Sequence, residues 1–597
     1  MADEPTGTAP PAFDYAGILG RVSHRSARIM LAARLSLTAF DQFYASSRAV
    51  PGQAKAAFEA RDVATSVALS QRRLAYYAEA IAELASLLRQ ALPALRSDPG
   101  LWSQIEETYM SLVAGRYEDD LATAFIHSTR RVMYADEWTP VAYSFGRAAH
   151  GAGPVREILV SRTPGRRRLA TIIAEILKSA GFKAPFRDLP GEAAEAADRI
   201  AAALAASHAR LERIEMVDGL FFRNRGAYLV GRLHVAAGPA RPLALALENS
   251  RDGIFIDAVL MREADLHNIF SSTLANFHVT QPRYHELCAF LHEIMPGRPL
   301  GLHYSTIGYN HLGKVAIMAE LAREIGGDDY RFETAVGFRG SVAMGFSAPS
   351  SAYVLKVIRD HPTAAYKWGV FPGIAAVIAK YRRVHEINRT GSMLDNMVFA
   401  RIDLDAAWFD PDLLAELAMA AAETVAVAGE KVNFRHLIVQ PKMVPLPVYL
   451  EAASAPDRLA AIDNLGHCIK NNAAAGIFNR DLDARNYGVS RYGKVYLFDY
   501  DAIEPLADVK VRTNLGRIEG EEDIPDWFFE TGTVFLPEEL ESGLMIEDRD
   551  LRRFFRRQHG ELFATGYWLG MQRALARGWV PRLEVYPQTT RLSPGAR

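Results

Sequence analysis

Cysteine is nearly absent from this 597-residue chain: Cys288 and Cys468 are its only two, and they lie far apart with no CxxC between them. Neither a disulfide framework nor a cysteine zinc cluster can be built from them, so a reducing, cytoplasmic setting is expected. A surplus of charge of either sign is also missing. Lys+Arg 68 against Asp+Glu 70 leaves a net charge of −2, without the positive excess that draws nucleic acid or anionic lipid. Long apolar runs are lacking too. The most apolar stretch, Leu413 to Gly429, is broken by Glu416 and Glu423, and Met1 to Ala12 is acidic and proline-rich rather than basic and then apolar. Nucleic-acid binding, secretion and membrane spanning are therefore not expected.

What the chain does contain is a globular composition, 49% hydrophobic and 23% charged, in a length that calls for roughly two or three domains. From about Ala16 to Ala205 apolar residues recur at three and four, as in Leu74, Tyr77, Ala78, Ile81, Leu84, Leu87 and Leu88, which predicts a helical bundle. Between Phe221 and Leu260 the period shortens to the strands Tyr228-Leu229-Val230 and Ile254-Phe255-Ile256, beside the turn residues Asn224-Arg225-Gly226 and Asp252-Gly253. A small sheet is expected there. Helices resume from about Ala264 to Glu324, and Gly326-Gly327-Asp328-Asp329 reads as a hinge. This divides the chain into residues 1–330, mostly helical with a small sheet near 221–260, and residues 331–597.

Three motifs are set aside. Gly308 to Lys314 spells G-x-x-x-x-G-K, but Val315 stands where a phosphate loop needs a hydroxyl for Mg²⁺, so a helix terminus is the better reading. His285 and His292 are seven apart, whereas metal pairs on helices sit three or four apart, and both read as packing or surface residues. Gly345-Phe346-Ser347-Ala348-Pro349 lacks the second glycine of a nucleophile elbow.

The second half holds a more specific set. Ala335-Val336-Gly337-Phe338-Arg339-Gly340-Ser341-Val342 reads as two strands around a flexible turn, followed by the strand Tyr353 to Ile358, from which Lys356 projects. Glycines let backbone N–H groups approach phosphate oxygens, and a lysine on the next strand bridges the α- and β-phosphates. Taken alone, a turn glycine and a solvated lysine account for it. About 120 residues on comes Arg480-Asp481-Leu482-Asp483-Ala484-Arg485-Asn486, then the strand Val495-Tyr496-Leu497 leading to Phe498-Asp499-Tyr500-Asp501. An aspartate at 481 suits acceptance of a hydroxyl proton, and oxygen ligands at Asn486 and Asp499 suit Mg²⁺ on ATP phosphates. Singly these are turn and cap residues; as the ordered set of glycine loop, Lys, Asp-x4-Asn and Asp they are the parts of a protein kinase. The strand His436 to Gln440, running into Pro441-Lys442-Met443-Val444-Pro445, supplies the linker that adenine meets.

At these residues the chain resembles the bifunctional isocitrate dehydrogenase kinase/phosphatases, bacterial enzymes of the glyoxylate branch point. The resemblance also takes in Phe40-Asp41-Gln42-Phe43-Tyr44, Phe221 to Gly231, Met295-Pro296-Gly297, Asn486-Tyr487-Gly488-Val489 and Phe498-Asp499-Tyr500-Asp501. It implies an α+β architecture, a mainly helical regulatory domain before a two-lobed kinase-like domain, with ATP and Mg²⁺ between the lobes, AMP as an allosteric ligand and isocitrate dehydrogenase as protein substrate. By matching positions it makes Ala335 to Ser341 the nucleotide loop (Ala335, Val336, Gly337, Phe338, Arg339, Gly340, Ser341), Lys356 the phosphate-binding lysine, Asp481 the catalytic aspartate, and Asn486 and Asp499 the metal ligands. Asp395, in Gly391-Ser392-Met393-Leu394-Asp395, falls where the family carries its phosphatase aspartate. Residue chemistry alone makes Asp395 a surface residue of a helix or loop.

The chain also departs from the family pattern. Arg480 stands at a usual glycine, Asp483 at an apolar position, Arg485 at a lysine, Ser392 at an arginine and Asp463 at a glutamate. Arg480 and Arg485 are expected to add or reshape positive charge beside Asp481, offset only in part by Asp483, whose side chain is taken to face away from the cleft. Two rival functions fit the same residues, a kinase of this fold acting on another protein and a catalytically silent nucleotide sensor; the retained Lys356, Asp481, Asn486 and Asp499 weigh against the second.

Overall fold

A computed structural model describes residues 15–134, 153–164, 168–270, 277–326, 330–335, 340–364, 370–386, 392–515, 527, 530–579 and 585–592. The chain forms two compact units, Met1–Val50 with Arg72–Val141, and Pro51–Gln71 with Ala142–Arg597.

The first unit is helical. It takes in most of the helices Arg25–Ala60 and Val63–Ala91, together with Pro99–Val113 and Asp119–Met133. Its core is aromatic: Phe40, Phe43 and Tyr77 all pack on Phe125, with ring centroids 5.7 to 5.9 Å apart. Asp98 starts the helix at Pro99 by accepting from the Leu101 amide, a side-chain cap on an otherwise orphaned donor.

The second unit carries two large sheets. The first is antiparallel and made of β1 (Leu159–Arg162), β2 (Leu211–Val217), β3 (Phe221–Arg223), β4 (Gly226–Val235), β5 (Arg241–Ser250), β6 (Gly253–Leu260) and β7 (His278–Val279). The expected turn at Asn224 is a two-residue hairpin loop in which Asn224 takes φ 52°, a left-handed conformation asparagine tolerates. The sheet is not small, however. It gathers seven strands reaching from Leu159 to Val279. Sequence reading missed β1, β2 and β7 because β1 and β7 are only four and two residues long, and β2 exposes Glu212 and Arg213 in succession, blurring the alternation.

The second sheet consists of β8 (Glu333–Thr334), β9 (Ala343–Ser347), β10 (Tyr353–Ile358), β11 (Met397–Asp405), β12 (Val425–Ala428) and β13 (Lys431–Pro441), in the order β11-β13-β10-β9-β8 with β12 also on β13. Phe346, Leu355, Phe399 and Phe434 from alternate positions fill one of its faces. The strands expected around the glycine loop are displaced outward to β8 and β9; Val336, Gly337, Phe338 and Arg339 lie outside the described residues, as do Gly327, Asp328 and Asp329 of the expected hinge. The helix Ile374–Glu386 lies between β10 and β11 in the chain.

Beyond β13 the chain turns helical, with Leu446–Ala452, Ala455–Ala474, Arg549–Gln558 and Thr565–Ala576 around the short strands β14 (Val444–Pro445), β15 (Ile477–Asn479), β16 (Tyr487–Val489), β17 (Val495–Leu497) and β18 (Ile503–Pro505). Ser454, just ahead of Ala455, accepts from the Asp457 amide, and Pro456 sits in the first turn, where its missing N–H costs nothing. Leu465, Phe478, Tyr487, Leu497, Tyr500 and Trp568 join one core that fixes the loops between these strands. Cys288 and Cys468 are buried and unbridged. Gly308 ends the helix Leu300–Thr306 with φ 87°, in keeping with a helix terminus rather than a phosphate loop. Among the described residues no helix is long and apolar enough to cross a membrane.

Candidate nucleotide and phosphotransfer site

A cavity of about 450 Å³ opens between the β8–β13 sheet and the helical part, a size that suits a nucleotide. Ala335, Gly340 and Ser341 form its roof, Lys356 its back, Gln440, Pro441 and Met443 its linker wall, and Asp481, Asn486 and Asp499 its floor. Eight of the twelve positions singled out from the sequence are described residues, and only Asp395 among those lies off the cavity lining. One glycine of the roof is obligatory: a Cβ on Gly340 would sit 2.9 Å from the Ala343 carbonyl.

Lys356 reaches the cavity because of register. On β10 it pairs with Gly345 of β9 on one side and Ile438 of β13 on the other, and the missing side chain at 345 leaves its face open. The residue is 8% exposed. Its ammonium donates to the Phe498 carbonyl at 3.1 Å and lies 4.7 Å above the Phe498 ring. Burial lowers its pKa, while the Asp499 and Asp501 carboxylates pull in the opposite direction. Gln440 Nε2 donates to the same Phe498 carbonyl at 3.1 Å, so one acceptor fixes both side chains just ahead of Asp499.

The floor is held by backbone clamps. Asn479 and Asn486 both donate their side-chain amides to the Asp481 carbonyl, the second at 3.0 Å, and the Asp481 amide donates to Asn479 Oδ1 at 3.2 Å. The Asn486 carbonyl accepts from the Phe498 amide at 3.1 Å, which joins the catalytic-loop segment to the one bearing Asp499. A close approach makes this possible: a Cβ on Gly488 would meet Met443 at 2.8 Å and Phe498 at 3.1 Å.

Carboxylates crowd the floor. Asp499 Oδ1 accepts from the Tyr381 hydroxyl at 3.0 Å, and burial holds that hydroxyl well above its usual pKa, so it stays a donor. Asp501, two residues on, is raised to about 7, first by burial and then by the charge of Asp499, with Lys380 opposing. Oxygen donors that repel one another in a buried site are the donor set a hard divalent cation relieves, and Asn486, whose amide nitrogen is spent on Asp481, adds a neutral oxygen. These residues fit Mg²⁺.

Two expectations about the neighbouring charges are corrected. Asp483 does not face away: it lines the cavity, is 4% exposed, and takes Arg485 Nε at 2.8 Å and Nη2 at 2.6 Å. As the cap of the turn Ala484–Asn486 its carboxylate folds forward over that turn to accept from the Arg485 amide, which brings it onto the Arg485 guanidinium. Arg480 instead directs Nη1 to Thr533 Oγ1 at 3.4 Å and is not among the side chains lining the cavity. Asp395 is corrected as well. It is no surface residue but 4% exposed, ion-paired with Arg298 Nη2 at 2.7 Å, while its neighbour Leu394 lines the cavity.

Sequence reading passed over Asp501, Gln440, Tyr381 and Arg298. Asp501 had a signal, a second carboxylate past the same strand end. Gln440 stood at the end of the linker strand already recognised, but Tyr381 meets Asp499, and Arg298 meets Asp395 away from the cavity, only through tertiary packing.

Residues 330–588 match the model of the isocitrate dehydrogenase kinase/phosphatase (AceK) kinase domain, and residues 33–327 that of the AceK regulatory domain. An isocitrate dehydrogenase kinase/phosphatase of Rhodopseudomonas palustris (strain HaA2) is 49% identical over 598 residues, covering 99% of this chain and 98% of that protein. One of Anaeromyxobacter sp. (strain Fw109-5) is 30% identical over 580 residues, covering 95% and 99%. With a kinase-type cavity in place and both domains matched, the chain belongs to the isocitrate dehydrogenase kinase/phosphatase family, kinases that are bifunctional with a phosphatase.

Proposed function

We propose that the chain transfers the γ-phosphoryl group of ATP to a serine of isocitrate dehydrogenase and also hydrolyses the product phosphoserine. The observation that carries this reading is the convergence of Lys356, Asp481, Asn486 and Asp499 on one cavity beside a strand-to-linker wall. In the forward direction Asp481 accepts the proton of the serine hydroxyl as its oxygen bonds to the γ-phosphorus and ADP departs. Lys356 exchanges the Phe498 carbonyl for phosphate oxygens, and the backbone of the Ala335 to Ser341 loop covers them. Asn486 and Asp499, with Asp501 beside them, hold Mg²⁺, which neutralises phosphate charge when bound. Gln440, Pro441 and Met443 present the adenine wall.

For the reverse reaction Asp395 positions the attacking water together with catalytic-loop groups. AMP is the allosteric ligand, the regulatory and kinase parts meet near residue 330, and the enzyme works in the cytoplasm. Incubation with labelled ATP, Mg²⁺ and purified isocitrate dehydrogenase, with and without AMP, tests this. Label in isocitrate dehydrogenase that is removed on changing conditions supports the reading; label only in another protein of an extract, or none in any, replaces it by one of the two rivals.

A further inference from the structure

Asp395 sits one residue beyond a side chain of the nucleotide cavity, and its carboxylate is held on the opposite side. Leu394 lines the cavity; Asp395 instead pairs with Arg298, and the two residues are 4% and 1% exposed. Asp395 is thus adjacent in the chain to the cavity lining while its carboxylate is taken up by Arg298.

Arg298 is braced from its own side. The Nη2 that meets Asp395 also donates to Thr306 Oγ1 at 2.8 Å and approaches the Leu302 carbonyl at 3.3 Å. Arg298 and Thr306 fall in the part of the chain that matches the regulatory domain, and Asp395 in the part that matches the kinase domain. The pair is therefore a bond between the two.

On the catalytic side the segment is stitched to the metal-binding residues. The Leu394 amide donates to the Leu497 carbonyl at 2.8 Å, and the Leu394 carbonyl accepts from the Tyr500 hydroxyl, which lies between Asp499 and Asp501. The segment that carries Asp395 is thus tied through the Leu394 backbone to the residues flanking Asp499.

The charge around the pair is uneven. Arg223 is 5% exposed, and its Nε and Nη2 have no hydrogen-bond partner. Its pKa is lowered to about 10 by burial, with Asp395 among the groups opposing that fall. Lys494 is pushed down to about 8, first by burial and then by Arg223, and again Asp395 opposes. Asp395 thus bonds to one cation, and its charge favours two more that are buried. A buried ion pair gives little net stability but enforces one geometry.

We infer that Arg298 is a positioning residue that sets the balance between the two activities: paired, it withholds Asp395 from the cavity and leaves the chain set for phosphotransfer; released, it admits Asp395 for phosphoserine hydrolysis. The inference rests on the reading of Asp395 as the phosphatase carboxylate.

The test uses the full chain, phospho-isocitrate dehydrogenase for dephosphorylation and ATP with unmodified isocitrate dehydrogenase for phosphorylation. Thr306→Val removes the brace without changing charge, and Arg298→Lys keeps the charge but loses the planar fork that grips Asp395 and Thr306 together. In both, the ratio of phosphatase to kinase kcat should rise at least about fivefold with kinase kcat/KM within about twofold of wild type. Exchange of the amide hydrogens at 392–397 should quicken in parallel, since the Leu394 amide depends on the held segment. Adding Asp395→Asn to Thr306→Val should abolish the gain. An unchanged or lowered ratio, or a parallel fall of both activities, makes Arg298 a structural residue and overturns the inference. Full phosphatase activity in Asp395→Asn alone defeats the reading of Asp395 instead, so the two failures are told apart.

Discussion

Asp483 grips Arg485 three times over, accepting from its backbone amide at 2.9 Å, its Nε at 2.8 Å and its Nη2 at 2.6 Å. The side-on hold orients a guanidinium that is 52% exposed at the mouth of a cavity that also holds Asp481 and Asn486. The positive charge that Arg485 brings beside Asp481 is therefore largely answered within two residues. Asp483→Ala should loosen Arg485 and raise KM for ATP, whereas Arg485→Lys should matter less once Asp483 is gone. Because the guanidinium is half-exposed, a double-mutant cycle on kcat/KM should give a coupling of about 0.5–1 kcal/mol. Strict additivity in that cycle would mean that Arg485 is placed by its backbone alone.

In the proposed reaction Lys356 and Asp499 act on opposite ends of the same phosphates, the first directly and the second through Mg²⁺. Lys356→Ala and Asp499→Ala should each lower kcat/KM by about 100-fold, or about 2.7 kcal/mol. The first should weaken ATP binding with or without Mg²⁺, and the second only the Mg²⁺-dependent part. Titration of a fluorescent nucleotide with and without Mg²⁺ separates these effects, and undiminished phosphotransfer in either variant defeats the kinase assignment.

Asn479 and Asn486 hold the backbone of Asp481 by donating to its carbonyl. Asp481→Asn should thus keep the loop geometry and bind ATP normally while losing the proton acceptor. A fall in kcat of about 10²–10⁴ is expected. Nucleotide affinity that drops in step with turnover points to a structural role.

Local signals were legible in the sequence and long-range ones were not. The strand Tyr353 to Ile358 matches β10 residue for residue, because β-branched and aromatic side chains bounded by turn residues admit few other structures. The ordered Lys356, Asp481, Asn486 and Asp499 do meet, since the spacing of a strand, a loop and a second strand is written along the chain. Asp395 was misread because nothing within its segment announces burial; its partner Arg298 is 97 residues away. Asp483 was misread because a cap's direction depends on the turn that follows it. Short strands such as β7 escape detection for the same reason, being stabilised by the sheet they join rather than by their own pattern.

The far end of the chain is fastened to the first sheet. Arg591 Nη1 meets both carboxylate oxygens of Asp257 on β6, at 3.0 and 2.9 Å, and the Tyr586 hydroxyl donates to the same carboxylate. Arg199 reinforces this by donating to the Thr589 and Arg591 carbonyls at 3.1 and 2.9 Å. Since Asp257 and Arg591 are 7% and 8% exposed, Arg591→Ala leaves a buried carboxylate without its cation. It should cost about 3–5 kcal/mol in urea unfolding, while replacement of both residues by apolar ones costs far less. Equal losses in the single and double variants would show that packing, rather than charge, anchors the segment.

Lys494 gives a pH dependence of definite sign. Burial, joined by the positive charge of Arg223, pushes its ammonium from 10.5 down to about 8. Between about 8 and 10.5 the unfolded chain keeps a proton on this lysine that the folded chain has released. Because stability rises with pH wherever the unfolded state binds more protons, the folded form should gain stability from Lys494 across this window and be penalised below it. Lys494→Met removes the proton from both states. The variant should be more stable than wild type at pH 7, and the advantage should shrink as pH rises from 8 to 10. Melting temperatures of the two proteins at matched ionic strength check this, with the difference between them cancelling titrations they share. A difference that stays constant across that range means that Lys494 carries its ordinary pKa in the fold and that the enclosure around Arg223 and Asp395 is wetter than its geometry implies.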